Sequence, residues 1–421
     1  MIEEIQKRPF ARPFFGWVTG ILLQVCFPLQ QLSFWLLLPV IAVVVFSVCL
    51  SYKRPMLSYD HRWIWGMVIF VLFIFLAIQT TALAEQRLNV PADSGWLQMR
   101  AQNAQEYMVG KLDRLNLEDN EKSILATITV NYRKAMSWEL RNQFSVTGVA
   151  HILSVSGYHV GIVAALLSFL FSVFPNRSIF RWIRFSCILI LIWAFTYIAE
   201  LSAPSVRAAL MFSIYLIGQQ FQHRPDRYNT LAATAFCMLV YNPFYLFNIG
   251  FQLSFVAVFF ILYLQPRFYR LITIRNPLLA NPWGILTVTV AAQIGTVFLC
   301  CYYFGEVSTV FVFTNLLLSL LSTVLIPLTL FYMLLPVEMP GYGILQSLVE
   351  TLANGLMWVV NRFSQIPGVT FSLRFDFITL VSSYLILGLI LYYFQSKRLR
   401  ILFAGLVLFL FVLCRQIILQ H

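Results

Sequence analysis

The stretch HILSVSGYHVG, His151 to Gly161, sets histidine, serine and glycine at the start of a long apolar run. On a helix, residues three apart share a face, so Ser156 would meet His159, and His151 would meet Ser154. Three chemistries suit that spacing. Ser156 as nucleophile with His159 as base would make an intramembrane serine hydrolase, but both on one turn are poorly set for in-line attack and no third residue or oxyanion donor is visible. Imidazole and hydroxyl groups can instead hold the oxygens of a passing anion. The third use is structural: Gly148, Gly157 and Gly161 would admit a neighbouring helix, with the histidines bonded to backbone carbonyls.

Other polar groups interrupt apolar runs in the same way. In AELSAPSVRAAL, Pro204 suits a first helical turn, Ser202 or Ser205 can cap it, and Arg207 sits one turn inside. Arg207 can hold a phosphate, snorkel to the interface or pair with Glu200. NPFYLFNIGFQLSF places Asn248, Gly250, Gln252 and Ser254 among aromatics, where Gln252 either bonds across helices or lines a pore. Gln293 in TVAAQIGT and Asn315 in FTNLLLSLLSTVLIP repeat the pattern, and Pro327 is expected to kink or break its segment. A polar side chain without a partner at membrane depth is costly, so these groups should face protein or water.

The elements that position them follow from composition. With 60% hydrophobic and 11% charged residues over 421 positions, the chain is a polytopic membrane protein, and no alternating pattern suggests a barrel. An all-α fold is expected, with about 11–13 transmembrane or partly inserted helices, since ~20 apolar residues cross a bilayer. The candidate spans are 14–27, 32–50, 64–84, 148–174, 185–199, 206–221, 229–241, 244–264, 283–304, 310–335, 344–361, 377–394 and 401–414. Of these, 229–241 is short, and 344–361 carries Glu350, Asn354 and Asn361, which suit an interfacial helix or a wet cavity. Lys7, Arg8 and Arg12 precede the first apolar segment without a small-residue cleavage site, which reads as a retained membrane anchor.

Basic residues fall in alternate loops: Lys53, Arg54 and Arg62; Arg177, Arg181 and Arg184; Arg224 and Arg227; Arg267, Arg270 and Arg275; Lys397, Arg398 and Arg400. The positive-inside rule puts these loops and the N-terminus in the cytoplasm and accounts for a net charge of +12 without any polyanionic ligand. Between them, 85–141 is charge-balanced, amphipathic and, by the same parity, extracytoplasmic. The cysteines lie in apolar runs without C-x-x-C spacing, and no Walker lysine or H-x-H-x-D cluster occurs. No metal, cofactor or ATP hydrolysis is therefore expected. An aromatic content of 16% fits lipid-facing Phe and interfacial Tyr and Trp better than stacking platforms for bases.

TGVAHILSVSGYHVGIV resembles the signature of the ComEC-type competence proteins, which reads approximately T-G-x-x-H-x-L-A-x-S-G-x-H-V. APSVRAALM, NPFYLFNIGFQLSF, AAQIGTVFLCCYYFGEVS and TNLLLSLLSTVLIPLTL are similar, in order, to later blocks of that family's membrane domain, and the stretch before the signature resembles its helical lead-in. The likeness spans about 112–330. Ser154 stands where the family has a small alanine, and Tyr158 where it is often apolar.

The resemblance implies a non-enzymatic channel, or channel subunit, carrying single-stranded DNA across the bacterial inner membrane in natural transformation. It implies His151, Ser156, Gly157, His159, Arg207, Gln252, Ser254, Gln293 and Asn315 along the DNA path, with Gly148, Pro204, Gly250 and Gly305 as packing positions. The expected organisation is a membrane anchor (1–84), an extracytoplasmic helical segment (85–145), the competence-type core (146–336) and C-terminal membrane helices (337–421). Full-length relatives add an OB-like domain and often a metallo-β-lactamase-like nuclease. Neither is expected in these residues, so a separate nuclease, a periplasmic DNA receptor and a cytoplasmic motor are the expected partners besides DNA and lipid, with homo-oligomerisation left open. A shortened paralogue with a structural membrane role is the remaining alternative.

Overall fold

The structure, a computed structural model, describes residues 8–27, 35, 38, 41–42, 45, 62–88, 96–175, 178–221 and 226–420. All but isolated positions of the expected span 32–50 lie outside them. The described helices are α1 (Ala11–Cys26), α2 (Arg62–Leu88), α3 (Trp96–Gly110), α4 (Asp119–Val130), α5 (Trp138–Val146), α6 (Gly157–Leu170), α7 (Ser178–Ile198), α8 (Ala203–Gln220), α9 (Arg227–Tyr241), α10 (Ile249–Tyr269), α11 (Pro277–Tyr303), α12 (Phe311–Leu334), α13 (Tyr342–Ser364), α14 (Phe377–Ser396) and α15 (Leu399–Gln420). The one sheet among the described residues pairs β1 (Glu306–Ser308) antiparallel with β2 (Thr370–Ser372). The protein is thus an all-α, multi-pass membrane protein, as its composition requires. Among the described residues, seven helices are long and apolar enough to cross a bilayer: α7, α10, α11, α12, α13, α14 and the stretch Gly66–Gln86 of α2.

The chain divides into two compact units, 1–106 with 156–255, and 107–155 with 256–421. In the first, α1 lies against α2 through Gly16 and Gly20, four apart on one face, a spacing that lets membrane helices approach closely. A Cβ on Gly20 would sit 2.5 Å from the Ile74 carbonyl oxygen and 2.6 Å from the Ala77 Cβ. Backbone there meets backbone. Trp17, Ile21, Ala77, Met238, Leu239 and Phe251 close the core, and the Trp17 indole N–H donates to the Leu239 carbonyl at 3.2 Å. Gly20→Ala is expected to lower stability by about 1–3 kcal/mol through overpacking. Gly388→Ala, where a Cβ meets nothing within 4 Å, should leave the detergent melting curve unmoved.

Arg8 pairs with Asp226 at 3.3 Å and lies over the Tyr228 ring, while the Phe10 N–H donates to Asn229 Oδ1 at 3.0 Å. The basic N-terminus and the start of α9 therefore share one end of this unit.

In the second unit α4 is buried along its length, with Ile124, Leu125, Ile128 and Val130 all sealed against α12 and α13. Glu350 on α13 is satisfied there: its Oε1 accepts the Asn116 N–H at 2.7 Å and the Gln346 amide at 2.9 Å. The polar residues that set 344–361 apart in the sequence thus include one that docks the segment before α4, on a helix long enough to span. Tyr384 donates to the Gly295 carbonyl at 2.7 Å, joining α14 to α11. Gln395 donates to the Tyr263 hydroxyl at 2.8 Å, so the basic loops after α10 and α14 leave from one end of the unit. Arg415 of α15 pairs with Asp376, whose carboxylate also caps α14 by accepting the Thr379 N–H.

Two expectations are corrected and a third is narrowed. The segment 148–174 is not one helix: a 3-10 turn (Ala150–Leu153) and extended backbone at Ser154 and Ser156 precede α6, which starts only at Gly157. The segment 244–264 likewise begins with a 3-10 turn (Pro243–Phe247), because Asn242 accepts the Phe244 N–H in front of it, and α10 starts at Ile249. Pro327 does not break α12, which runs through it. A membrane helix tolerates proline where its neighbours compensate the missing N–H.

Candidate functional site

The break at 148–156 decides where the signature residues go. Gly148 has φ +78°, and a Cβ there would lie 2.7 Å from the Phe311 Cβ and 2.8 Å from the Ser308 Cβ. Only glycine fits both the left-handed backbone and the space. His151 consequently sits on the 3-10 turn of the second unit, while Ser156, Gly157 and His159 open α6 in the first.

In the first unit, His159 is fully buried. Its Nδ1 accepts the Ser156 backbone N–H at 3.1 Å and lies 3.0 Å from Ser156 Oγ, a reciprocal capping box for α6. An imidazole nitrogen has one in-plane lone pair, and the backbone N–H already uses it, which assigns the proton to Nε2. Ser156 and His159 do meet, as their spacing predicted, and what they do together is start a helix. Ser156→Ala should lower stability by about 0.5–2 kcal/mol, with Ser156→Gly recovering most of it, read from thermal unfolding in detergent.

Gly157 faces the Ala208 Cβ at 3.7 Å and Gly161 faces the Phe212 ring, so α6 lies against α8 beside Arg207. Pro204 takes the first turn of α8 as expected. Ser202 and Ser205 hydrogen-bond to each other through their hydroxyls at 2.8 Å and do not cap the helix. Just before them, Glu200 (φ +60°) and Leu201 (φ +49°) both adopt left-handed backbone, a strain of about 1–3 kcal/mol each for non-glycine residues.

Arg207 is 4% exposed, and its Nε and Nη1 have no hydrogen-bond partner among the described residues. It neither snorkels nor pairs with Glu200; its electrostatic neighbour is Tyr245, from the 3-10 turn of the NPFYLF block. The remaining predicted residues of this unit are local. The Gln252 amide donates to the Leu246 carbonyl at 2.9 Å, Asn248 Oδ1 accepts the Phe251 N–H at 3.1 Å beside Gly250, and Ser254 is half-buried one turn on.

The second unit gathers its own polar centre. Asn315 on α12 donates through Nδ2 to Thr289 Oγ1 on α11, accepts from Ser319 Oγ at 3.4 Å, and has the His151 side chain as a neighbour. Next to it, Thr314 donates to the Thr147 carbonyl at 2.8 Å, fixing the signature's lead-in to α12. Gln293 is half-buried one turn past Thr289 on α11. Gly305 stands apart, before β1, against the Arg374 side chain. Thr289 and Ser319 were missed in the sequence, although each lies four residues from a predicted member, Gln293 and Asn315, and so on the same helical face. Tyr245 and the strained Glu200–Leu201 turn carry no signal in the sequence.

Five blocks of sequence thus make two polar centres, one in each unit: α6, α8 and the 243–247 turn around Arg207, and the 150–153 turn, α11 and α12 around Asn315. The competence protein family model matches residues 128–397. ComE operon protein 3 of Bacillus subtilis (strain 168) is 33% identical over 204 residues, covering 48% of this chain and 25% of that protein. An uncharacterized protein of Aquifex aeolicus (strain VF5) is 27% identical over 170 residues, covering 39% of each. The matched stretches therefore span a quarter to two-fifths of these relatives' own lengths. No solved structure matches the chain. Because the family model covers well over half of its residues, including both polar centres, the chain belongs to the competence protein family.

Proposed function

We propose that the protein carries single-stranded DNA across the bacterial inner membrane during natural transformation, as a channel or channel subunit, with its N-terminus in the cytoplasm. The observation that carries this reading is Arg207. A guanidinium buried without a counter-charge is unfavourable by several kcal/mol, so a fold that keeps one has a use for an anion at that point. The first turn of α8, uncapped by any side chain and flanked by the Ser202 and Ser205 hydroxyls, supplies further donors and a favourable dipole for a phosphate. One buried cation also suits passage better than many would, because a conducted anion must leave as readily as it arrives. In this reading the centre around Asn315 contributes neutral hydrogen-bonding groups, and a nuclease, a periplasmic DNA receptor and a cytoplasmic motor are the protein's partners.

The test is uptake of labelled DNA into the nuclease-resistant fraction of cells lacking the gene. Complementation by the full chain should restore it. Undiminished uptake in the deletion strain would contradict the proposal and favour a structural membrane role.

A second reading has one observation in its favour, the 3.0 Å approach of Ser156 Oγ to His159 Nδ1. A hydrolase needs that nitrogen as a base, and in this arrangement it is already bonded to a backbone N–H. Ser156→Gly is expected to retain DNA uptake at normal expression; complete loss would support a nucleophile.

A further inference from the structure

Outside the two polar centres, the second unit builds a rigid exposed surface between α4 and α5. α4 ends at Asn131 in a left-handed turn (φ 64°), and Thr127 Oγ1 donates to the Tyr132 carbonyl at 2.7 Å. Met136 is buried, its N–H donating to the Arg133 carbonyl at 3.2 Å, and Ser137 caps α5 by accepting the Leu140 N–H at 3.2 Å. Arg141 then reaches back from α5 to donate to the same Arg133 carbonyl at 3.3 Å. Loop and helix are thereby locked together.

What this frame presents is Trp138, 78% exposed, with Arg133, Lys134 and Arg141 exposed around it. Trp138 and Arg141 are three apart and share one face of α5. Lys134 Nζ lies 5.7 Å from the centre of the Tyr132 ring. Glu139 is the single carboxylate in 131–141, and it follows Trp138 about 100° around the helix. The apolar residues of α5, Leu140 and Phe144, are buried on the opposite side, and its other exposed positions are Asn142 and Ser145. A helix that lies on a lipid surface exposes a continuous apolar face; this one exposes a lone indole among cations and amides.

We infer that this surface receives single-stranded nucleic acid, with a base stacked on Trp138 and the flanking phosphates held by Arg133, Lys134 and Arg141. The inference rests on the DNA-transport reading and adds a loading surface on the helical segment that precedes the signature. An exposed aromatic face beside arginine and lysine is the pairing that sequence-tolerant single-strand binding uses, because every base has a stacking face and every nucleotide a phosphate.

The test uses the purified full chain in detergent and a fluorescent oligothymidylate, which cannot pair with itself, read by anisotropy across a salt series. Trp138→Ala should weaken binding about tenfold or more without changing the salt slope, and Trp138→Phe should keep most of the affinity. Arg133→Gln with Arg141→Gln should flatten the slope by about 0.7 for each lost phosphate contact. Trp138 and Arg133 are exposed, so their variants should melt as wild type, whereas Arg141→Gln also removes the bond to the Arg133 carbonyl and is expected to melt slightly lower; if Trp138→Ala melts lower too, Trp138→Phe with Arg133→Gln carries the comparison.

Wild-type affinity and slope in all these variants would overturn the inference. So would quenching of a fluorophore at Trp138→Cys by brominated lipid in nanodiscs, which would make the surface a membrane contact. If these variants bind and take up DNA as wild type while Arg207→Gln blocks uptake, the loading surface is wrong and the transport reading stands. If the gene deletion leaves uptake intact, both fall.

Discussion

Arg207→Gln is expected to reduce DNA uptake by roughly tenfold to a hundredfold, the loss of about one or two charge-assisted hydrogen bonds to phosphate, while the protein melts at or above the wild-type temperature. The opposite signs are the point. In the absence of DNA the guanidinium has two nitrogens without partners among the described residues, so replacing it with a neutral amide removes a desolvation penalty and breaks no ion pair. A merely structural arginine would behave otherwise, because losing its bonds would lower stability and uptake together. Arg207→Lys should fall between, keeping the charge but not the planar fork that fits phosphate. Uptake in cells and thermal unfolding in detergent, measured on the same variants, separate the two cases.

Gly148→Ala should destabilise the protein by about 2–5 kcal/mol, the largest stability effect anticipated from a single methyl group in the signature. Two independent terms add. Left-handed backbone costs an L-residue about 1–2 kcal/mol, and the new Cβ would press to within 2.7 Å of the Phe311 Cβ at the start of α12, where neither partner can swing aside. Overpacking of that kind adds about 1–3 kcal/mol. Gly157→Ala is the matched control: its Cβ would meet the Ala208 Cβ at an ordinary 3.7 Å, so it should melt within error of wild type. Loss of membrane-extracted folded protein for the first variant and not the second is the measurement, and equal behaviour of the two would contradict this account of the signature's first glycine.

Much of the architecture was legible in advance because a bilayer imposes length and composition on its helices. Apolar runs located the spanning helices that the structure describes, and a polar interruption such as Asn315 marked where neighbours compensate. The helix stop at Gly148 is local, with the Gly148 N–H donating to the Ser145 carbonyl and the Val149 N–H to the Phe144 carbonyl; what was not legible is the packing of Ser308 and Phe311, 160 and 163 residues away, against that glycine. For Gln252, an amide in an apolar run suggested a bond across helices or a pore, and one of its bonds goes to a carbonyl six residues back. The close approach of α1 to α2 was missed, although the four-residue spacing of Gly16 and Gly20 is visible in the chain. Tyr245 beside Arg207 and the strained turn at Glu200 and Leu201 depend on tertiary structure alone.

The central claim is that the hydrophilic side chains in each unit meet water and DNA, in addition to any bond they make between helices. Substituted-cysteine accessibility tests it most directly, with Ser254→Cys in one unit and Gln293→Cys in the other, introduced into a chain whose seven native cysteines are replaced. Both should react with a membrane-impermeant thiol reagent, and single-stranded oligonucleotide should slow both reactions. If neither reacts while Trp138→Cys on the exposed surface labels freely, the polar centres are dry helix contacts and the transport account is wrong.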